Sequence, residues 1–366
     1  MNRTVPPFKK PAFWVILAAA VCVVLGVLLL PHRSGPTQLG TSQAEPTVAY
    51  ADGTAYAIQL DDKILIRSSS KKWTERTLPS IPLPMFAGED TSDTLYLVPY
   101  PEETYLYPGI KSDSAPSVAA MPNGRGVIVS HLSWGYHCYN PVDQVFQASL
   151  DLPKEAKPYY PITVSPDEKQ VISMNRAPDE TGTSLYRYNV DTYQTTLLLP
   201  GDPADTAYPM GWLDDSTLLV ARRSGYVALT LDSQLTSLPF ACTDPQVATV
   251  QDGLVVYVDG DAKTQTTLYV GRYADGALTS ILEAPNVIPH LTDAPLISPN
   301  QTKLAVLCET DAGPLEYRIY NLATGGYTAH PAPEDGTLTS VRWLDNSTLL
   351  LTTEQAKGYV AWLAKA

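Results

Sequence analysis

Side chains able to do chemistry are sparse in this chain of 366 residues, and they gather mainly in His131-Leu-Ser-Trp-Gly-Tyr-His-Cys-Tyr-Asn140. His131, His137 and Cys138 have metal-ligand side chains, but zinc needs three or four ligands converging on a tetrahedron. Two histidines six residues apart and one thiol are too few, and lone histidines and cysteines are more often packed or exposed without ligand duty. The aromatic members carry more information. Trp134, Tyr136 and Tyr139, with His137 among them, suit either of two roles: packing between strands, or stacking on a sugar or peptide at an open face, where the polar ring tips would bond the ligand. Tyr159, Tyr160, Tyr208 and His290 each lie just upstream of the first strand of a repeat unit, so on the second reading they converge on the same end.

Other reactive patterns fail on context. Ser68-Ser-Ser-Lys71 has the bare spacing of a penicillin-recognising serine and lysine, yet it follows the strand-like Lys63-Ile-Leu-Ile-Arg67 instead of opening a helix. Gly182-Thr-Ser-Leu-Tyr186 lacks the second glycine of a nucleophile elbow. Gly124-Arg-Gly126 has neither the third glycine nor the helix of a nucleotide loop. Asp61-Asp62, Asp214-Asp215 and Asp259-Gly-Asp261 read as Asx turns between strands before they read as calcium ligands or paired catalytic acids. No catalytic residue, metal site or cofactor is assigned. Cys138, Cys242 and Cys308 allow one bridge at most and are read as free thiols. Lysine and arginine total 25 against 38 acids, a net charge of −13, the wrong sign for tracking a nucleic-acid backbone.

The elements that must position these residues repeat. Ile162–Met174, Pro209–Ala221, Pro295–Leu307 and Ser340–Thr352 align without gaps, each with a short apolar strand, a Ser-Pro or Trp-Leu step, an Asp/Asn turn and a second apolar strand. The turn residues Asp167, Asp214, Asn300 and Asp345 are 47, 86 and 45 residues apart, and the double interval is filled by Val250–Tyr257, where Asp252-Gly253 supplies the turn. Met121–Val129, Thr91–Val98 and Val48–Tyr56 extend the series upstream to eight units. A period of about 40 to 45 residues with four strands per unit is that of a β-propeller blade. The fold class expected is all-β, a propeller of seven or eight four-stranded blades. The last unit is one strand short after Tyr359–Leu363, so a strand from Thr37–Tyr50 is expected to complete it.

The Ser-Pro-Asp and Trp-Leu-Asp-Asp-Ser-Thr-Leu-Leu patterns over 47–366 resemble the propellers of TolB-type proteins and of dipeptidyl-peptidase regulatory domains. Upstream, Ala12–Leu30 is a run of 19 uncharged, mainly apolar residues, about 28 Å long as a helix and so able to span a bilayer. Arg3, Lys9 and Lys10 precede it, which places the N-terminus inside. Leu28-Leu-Leu-Pro-His-Arg-Ser-Gly35 has no small-x-small cleavage site, against a removed signal peptide. Residues 9–30 resemble the last membrane helix of clostridial β-lactam-sensing antirepressor metallopeptidases, whose His-Glu-x-x-His is absent here. That resemblance implies a Firmicute-like source and an anchor carrying an outer module.

The expected organisation is therefore a cytoplasmic tail (1–11), a transmembrane helix (12–30), a linker (31–46) and an extracytoplasmic propeller (47–366) in the cell membrane. Three functions follow: a non-enzymatic binding or sensing module for a cell-wall, glycan or peptide ligand; a scaffold for an envelope protein; and, more remotely, a hydrolase or lyase working in the central channel.

Overall fold

The computed structural model describes residues 35–51, 56–61, 63–67, 73–77, 80–82, 94–100, 103–109, 117–120, 127–131, 135–140, 145–149, 157–167, 169–176, 183–189, 191–192, 194–261, 265–290, 296–309 and 315–366. The chain divides into two units, Met1–Thr37 and Gln38–Ala366. The expected membrane helix lies outside the described residues, among which no helix is long and apolar enough to cross a membrane.

The described regular structure is all strand. β1 (Thr37–Ser42) precedes a first sheet of β2 (Thr47–Ala51), β3 (Tyr56–Leu60), β4 (Lys63–Arg67) and β5 (Trp73–Thr77). The second sheet has three strands, β6 (Ser80–Pro82), β7 (Thr94–Tyr100) and β8 (Glu103–Gly109). The third comprises β9 (Ser117–Ala120), β10 (Val127–His131), β11 (Gly135–Asn140) and β12 (Val145–Ser149), and the fourth β13 (Lys157–Val164), β14 (Gln170–Arg176), β15 (Thr183–Asn189) and β16 (Gln194–Leu199). The fifth is β17 (Tyr208–Asp214), β18 (Thr217–Arg222), β19 (Gly225–Thr230) and β20 (Leu235–Ser237), and the sixth β21 (Pro245–Gln251), β22 (Leu254–Asp259), β23 (Thr266–Ala274) and β24 (Ala277–Val287). The seventh is β25 (Pro289–His290), β26 (Lys303–Glu309), β27 (Leu315–Asn321) and β28 (Tyr327–Pro331). β29 (Thr337–Asp345), β30 (Thr348–Gln355) and β31 (Gly358–Lys365) form the eighth, with β1 hydrogen-bonded to β31 as its fourth strand. The strand from Thr37–Tyr50 needed to complete the last unit is thus β1. It lies within 31–46, which composition alone reads as linker: Thr37–Ser42 carries one large apolar side chain, too few to show a strand period.

From the fourth sheet to the eighth, successive sheets are joined by apolar layers, and the second strands β18, β22, β26 and β30 each supply both neighbours. In β26, Leu304, Val306 and Cys308 pack towards the sixth sheet while Ala305 and Leu307 pack towards the eighth. In β22, Leu254, Val256 and Val258 face the seventh sheet, and Val255 and Tyr257 the fifth. This is why second strands read as unbroken apolar runs: side chains alternate across a strand, and here both faces are covered. A further cluster joins Ile58 and Leu60 of the first sheet to Leu344, Leu350 and Ala361 of the eighth, with Leu39 of β1 against it. This layer joins the last sheet to the first.

The turn residues are structural. Asp214 Oδ1 accepts the N–H and hydroxyl of Ser216 at 2.8 and 3.0 Å, and Asp345 Oδ1 those of Ser347 at 2.7 and 2.9 Å. In the Ser-Pro variants, the Ser165 hydroxyl donates to Asp167 at 2.6 Å and Ser298 to Asn300 at 2.9 Å, and each serine oxygen accepts the N–H five residues on. Asp252 and Gly253, at φ 46° and 76°, make the left-handed pair that closes a two-residue hairpin. The Asx-turn reading holds at Asp214, while Asp61 accepts the N–H groups of Gln43 and Ala44 and Asp259 that of Asp244, tying separate segments together.

Candidate ligand-binding face

The first strand of each sheet starts beside the end of the second. Lys157 of β13 pairs with Arg176, Tyr208 of β17 with Ala221, and His290 of β25 with Leu307. In the third sheet, Ser117 of β9 pairs with Ser130, and Ser130 in turn with Tyr136 at the start of β11. Tyr136, Tyr159, Tyr208 and His290 thus sit at the corresponding end of four different sheets. Tyr159 adjoins a β-bulge, since pairing with β14 shifts between Tyr159 and Ile162 and leaves Tyr160 without a cross-strand partner. First strands bulge again in β2, β17, β21 and β29, and an inserted residue increases local twist and re-aims the strand.

His137 and Tyr139 follow Tyr136 along β11, opposite Val129 and Val127 of β10, and Val129 lies two residues from the end of β10 as Met174, the partner of Tyr159, lies two from the end of β14. Trp134, and the side chains of Tyr136, His137, Tyr139, Tyr159 and Tyr160, lie outside what is described. Two candidates are described in full. The Tyr208 side chain is 45% exposed. His290 is exposed too, with Nε2 3.8 Å from Oε2 of Glu309.

Beside Tyr208 the structure adds a polar cluster that sequence reasoning missed. Arg222 closes β18 one residue beyond the partner of Tyr208, and its guanidinium lies 3.1 Å from Asp205 Oδ2. Ser224 donates its hydroxyl to the same carboxylate at 2.8 Å and its N–H at 3.0 Å. These two bonds from Ser224, then the charge of Arg222, hold the Asp205 carboxyl below the usual carboxylate range. Nothing in the spacing links residue 205 to 224; the β18–β19 turn brings them together.

Trp212 and Trp343, at matching repeat positions, belong to the core. Trp343 Nε1 donates to the Leu296 carbonyl at 2.8 Å, bridging the eighth and seventh sheets. Cys308 is buried and Cys242 half-buried, both as free thiols. Burial pushes the thiols up to about 12 and about 11. Among the described residues no group of three or more His, Cys, Asp or Glu side chains could hold a metal ion.

No family model and no curated protein matches this chain. Solved structures do. An oligogalacturonate lyase in complex with manganese is 12% identical, with a TM-score of 0.54 over 90% of this chain and 95% of its own. The oligogalacturonate lyase of Vibrio parahaemolyticus is 10% identical, also at 0.54, over 90% of this chain and 98% of its own. The β-propeller domain of Cps50 (Swd1) from Myceliophteria thermophila is 10% identical, at 0.53, over 90% of this chain and 99% of its own. The fold is a β-propeller. Likeness at this level of identity carries the architecture and leaves activity to the residues of this chain.

Proposed function

We propose that this chain is a membrane-anchored, extracytoplasmic propeller of eight blades that captures a cell-wall, glycan or peptide ligand on one face and catalyses no reaction itself. The observation that carries this reading is the register that sets Tyr136, Tyr159, Tyr208 and His290 at the corresponding end of four sheets. In a propeller those ends make one face, where exposed rings stack on ligands and loops set specificity. The eight sheets are read as eight blades. The anchor rests on the apolar run Ala12–Leu30 with Arg3, Lys9 and Lys10 before it, and the TolB-type and antirepressor-type resemblances rest on their motifs.

A thermal-shift screen of the chain against muropeptides, neutral glycans, oligogalacturonate and divalent metals including manganese tests the binding reading, since a ligand of the native state raises Tm. One class should give a saturable shift that Tyr208→Ala and Trp134→Ala each abolish while the unliganded Tm stays within a few degrees. A flat response across the panel refutes the reading. Protease protection in sealed vesicles tests the anchor: residues beyond 34 should be digested only from the outer side.

A second reading, docking of an envelope protein through blade edges, is favoured by one observation. Leu197 on β16, Leu235 on β20 and Tyr327 on β28 are large apolar side chains left exposed on outermost strands. Cross-linking in the membrane separates the two readings.

A further inference from the structure

β1 is held differently from the other outermost strands. β16, β20, β24 and β28 each follow the third strand of their own sheet through a turn, so detaching one unravels a hairpin. β1 comes from the start of the chain and pairs with its end, and only Gln43–Pro46 join it to β2 in the first sheet. It can leave the eighth sheet without disturbing that sheet's own connections.

Its grip is shallow. Thr37, Gln38 and Thr41 are exposed, Ser42 alone is buried, and Leu39 is its one large apolar anchor, half-buried against Ile58, Leu60, Leu344, Leu350 and Ala361. Past the strand, Gln43 donates its N–H to the Asp61 carboxylate at 2.8 and 3.0 Å, Ala44 does so at 3.2 Å, and Glu45 lies 3.6 Å from Arg342.

The fit of the slot rests on Leu39: a side chain at Gly40 would meet only the movable Cδ1 end of Leu60, whereas Leu39 packs on the buried cluster. β1 itself supplies that leucine. We propose that β1 is an exchangeable strand, and that the edge of β31 is a strand-binding site which the β1 of a second copy can fill. A short connection between an end strand and its neighbour favours such swapping, because the same bonds re-form between copies. The proposal depends neither on the ligand nor on the membrane anchor.

The test uses the full chain in detergent and a fluorescent peptide of residues 35–45. Saturable incorporation is expected, weakened about tenfold or more by Leu39→Asp in the peptide, which puts a charge where an apolar anchor was half-buried. Isotopically light and heavy copies, concentrated together and then diluted, should give mixed dimers by native mass spectrometry. Absence of saturable incorporation, or equal incorporation of the Leu39→Asp peptide, overturns exchange. Incorporation without mixed dimers overturns the second copy as occupant.

Discussion

Trp212 and Trp343 occupy the same place in two repeat units, and replacing each by phenylalanine separates packing from hydrogen bonding. Both are buried, at 5% and 2% exposure, so the two substitutions remove a similar amount of packed ring. Their indole N–H groups differ. That of Trp343 donates to the Leu296 carbonyl at 2.8 Å, which also accepts the N–H of Ala305 at 2.8 Å. That of Trp212 is buried with no partner. Trp343→Phe loses one of two bonds to a carbonyl that stays satisfied, about 1 kcal/mol beyond the packing loss. Trp212→Phe removes an unsatisfied donor whose desolvation costs about 1–3 kcal/mol, offsetting part of its packing loss. Trp343→Phe should therefore be the more destabilising by roughly 2 kcal/mol or more. Urea unfolding followed by far-UV circular dichroism measures the difference without relying on tryptophan emission. Equal midpoints, or a lower one for Trp212→Phe, would refute the assignment of these two hydrogen-bonding states.

Further outcomes follow from the same structure. Burial holds Cys308, Tyr317 and Tyr320 at about 12 in the folded chain, against ordinary values of 9.0 and 10.0. Above about pH 9 the unfolded chain releases protons that the folded chain keeps, so stability should fall as pH rises from there, and Cys308→Ala should flatten that fall in a denaturation series across pH. Native protein at pH 8 should react slowly with a thiol reagent at Cys242 and not at Cys308 until unfolded. Gly358, at φ 121°, would bring a Cβ within 2.4 Å of the Ser42 carbonyl oxygen; Gly358→Ala should lower Tm and speed amide exchange in β1 before any other strand. Ser165→Ala removes a buried hydroxyl bonded to both Asp167 and the N–H of Gln170, and should cost about 1–3 kcal/mol by urea unfolding.

The parts of this fold legible in the sequence are those where one residue type has one structural job. The Asx turns at Asp214 and Asp345, the Asp252-Gly253 hairpin and the unbroken apolar second strands such as Leu304–Cys308 are readable because turn chemistry and two-sided burial leave direct marks on composition. The same period leads to the structural role of Trp212 and Trp343. β1 is not readable as a strand from its own composition, since an outermost strand with one half-buried leucine carries no periodic signal; only the missing fourth strand of the last unit points to it. The cluster of Asp205, Arg222 and Ser224 is equally silent, because a turn assembles it from residues with no repeating interval. Tyr208 and His290 emerge from their place ahead of a repeated strand, whereas the aromatic side chains of His131–Asn140 lie outside what is described.

The pairing of β1 with β31 also sets a clock for biosynthesis. More than three hundred residues separate Ser42 from Gly358, so at ribosomal speed the earlier strand waits roughly 15 to 60 s for its partner. Contacts so distant in sequence form late and slowly. During that interval the nascent chain displays an open end at each terminus, and neighbouring ribosomes on one message would hold several such ends close together. Slow elongation late in the message, or a chaperone that covers Leu39, would then decide how many chains close on themselves.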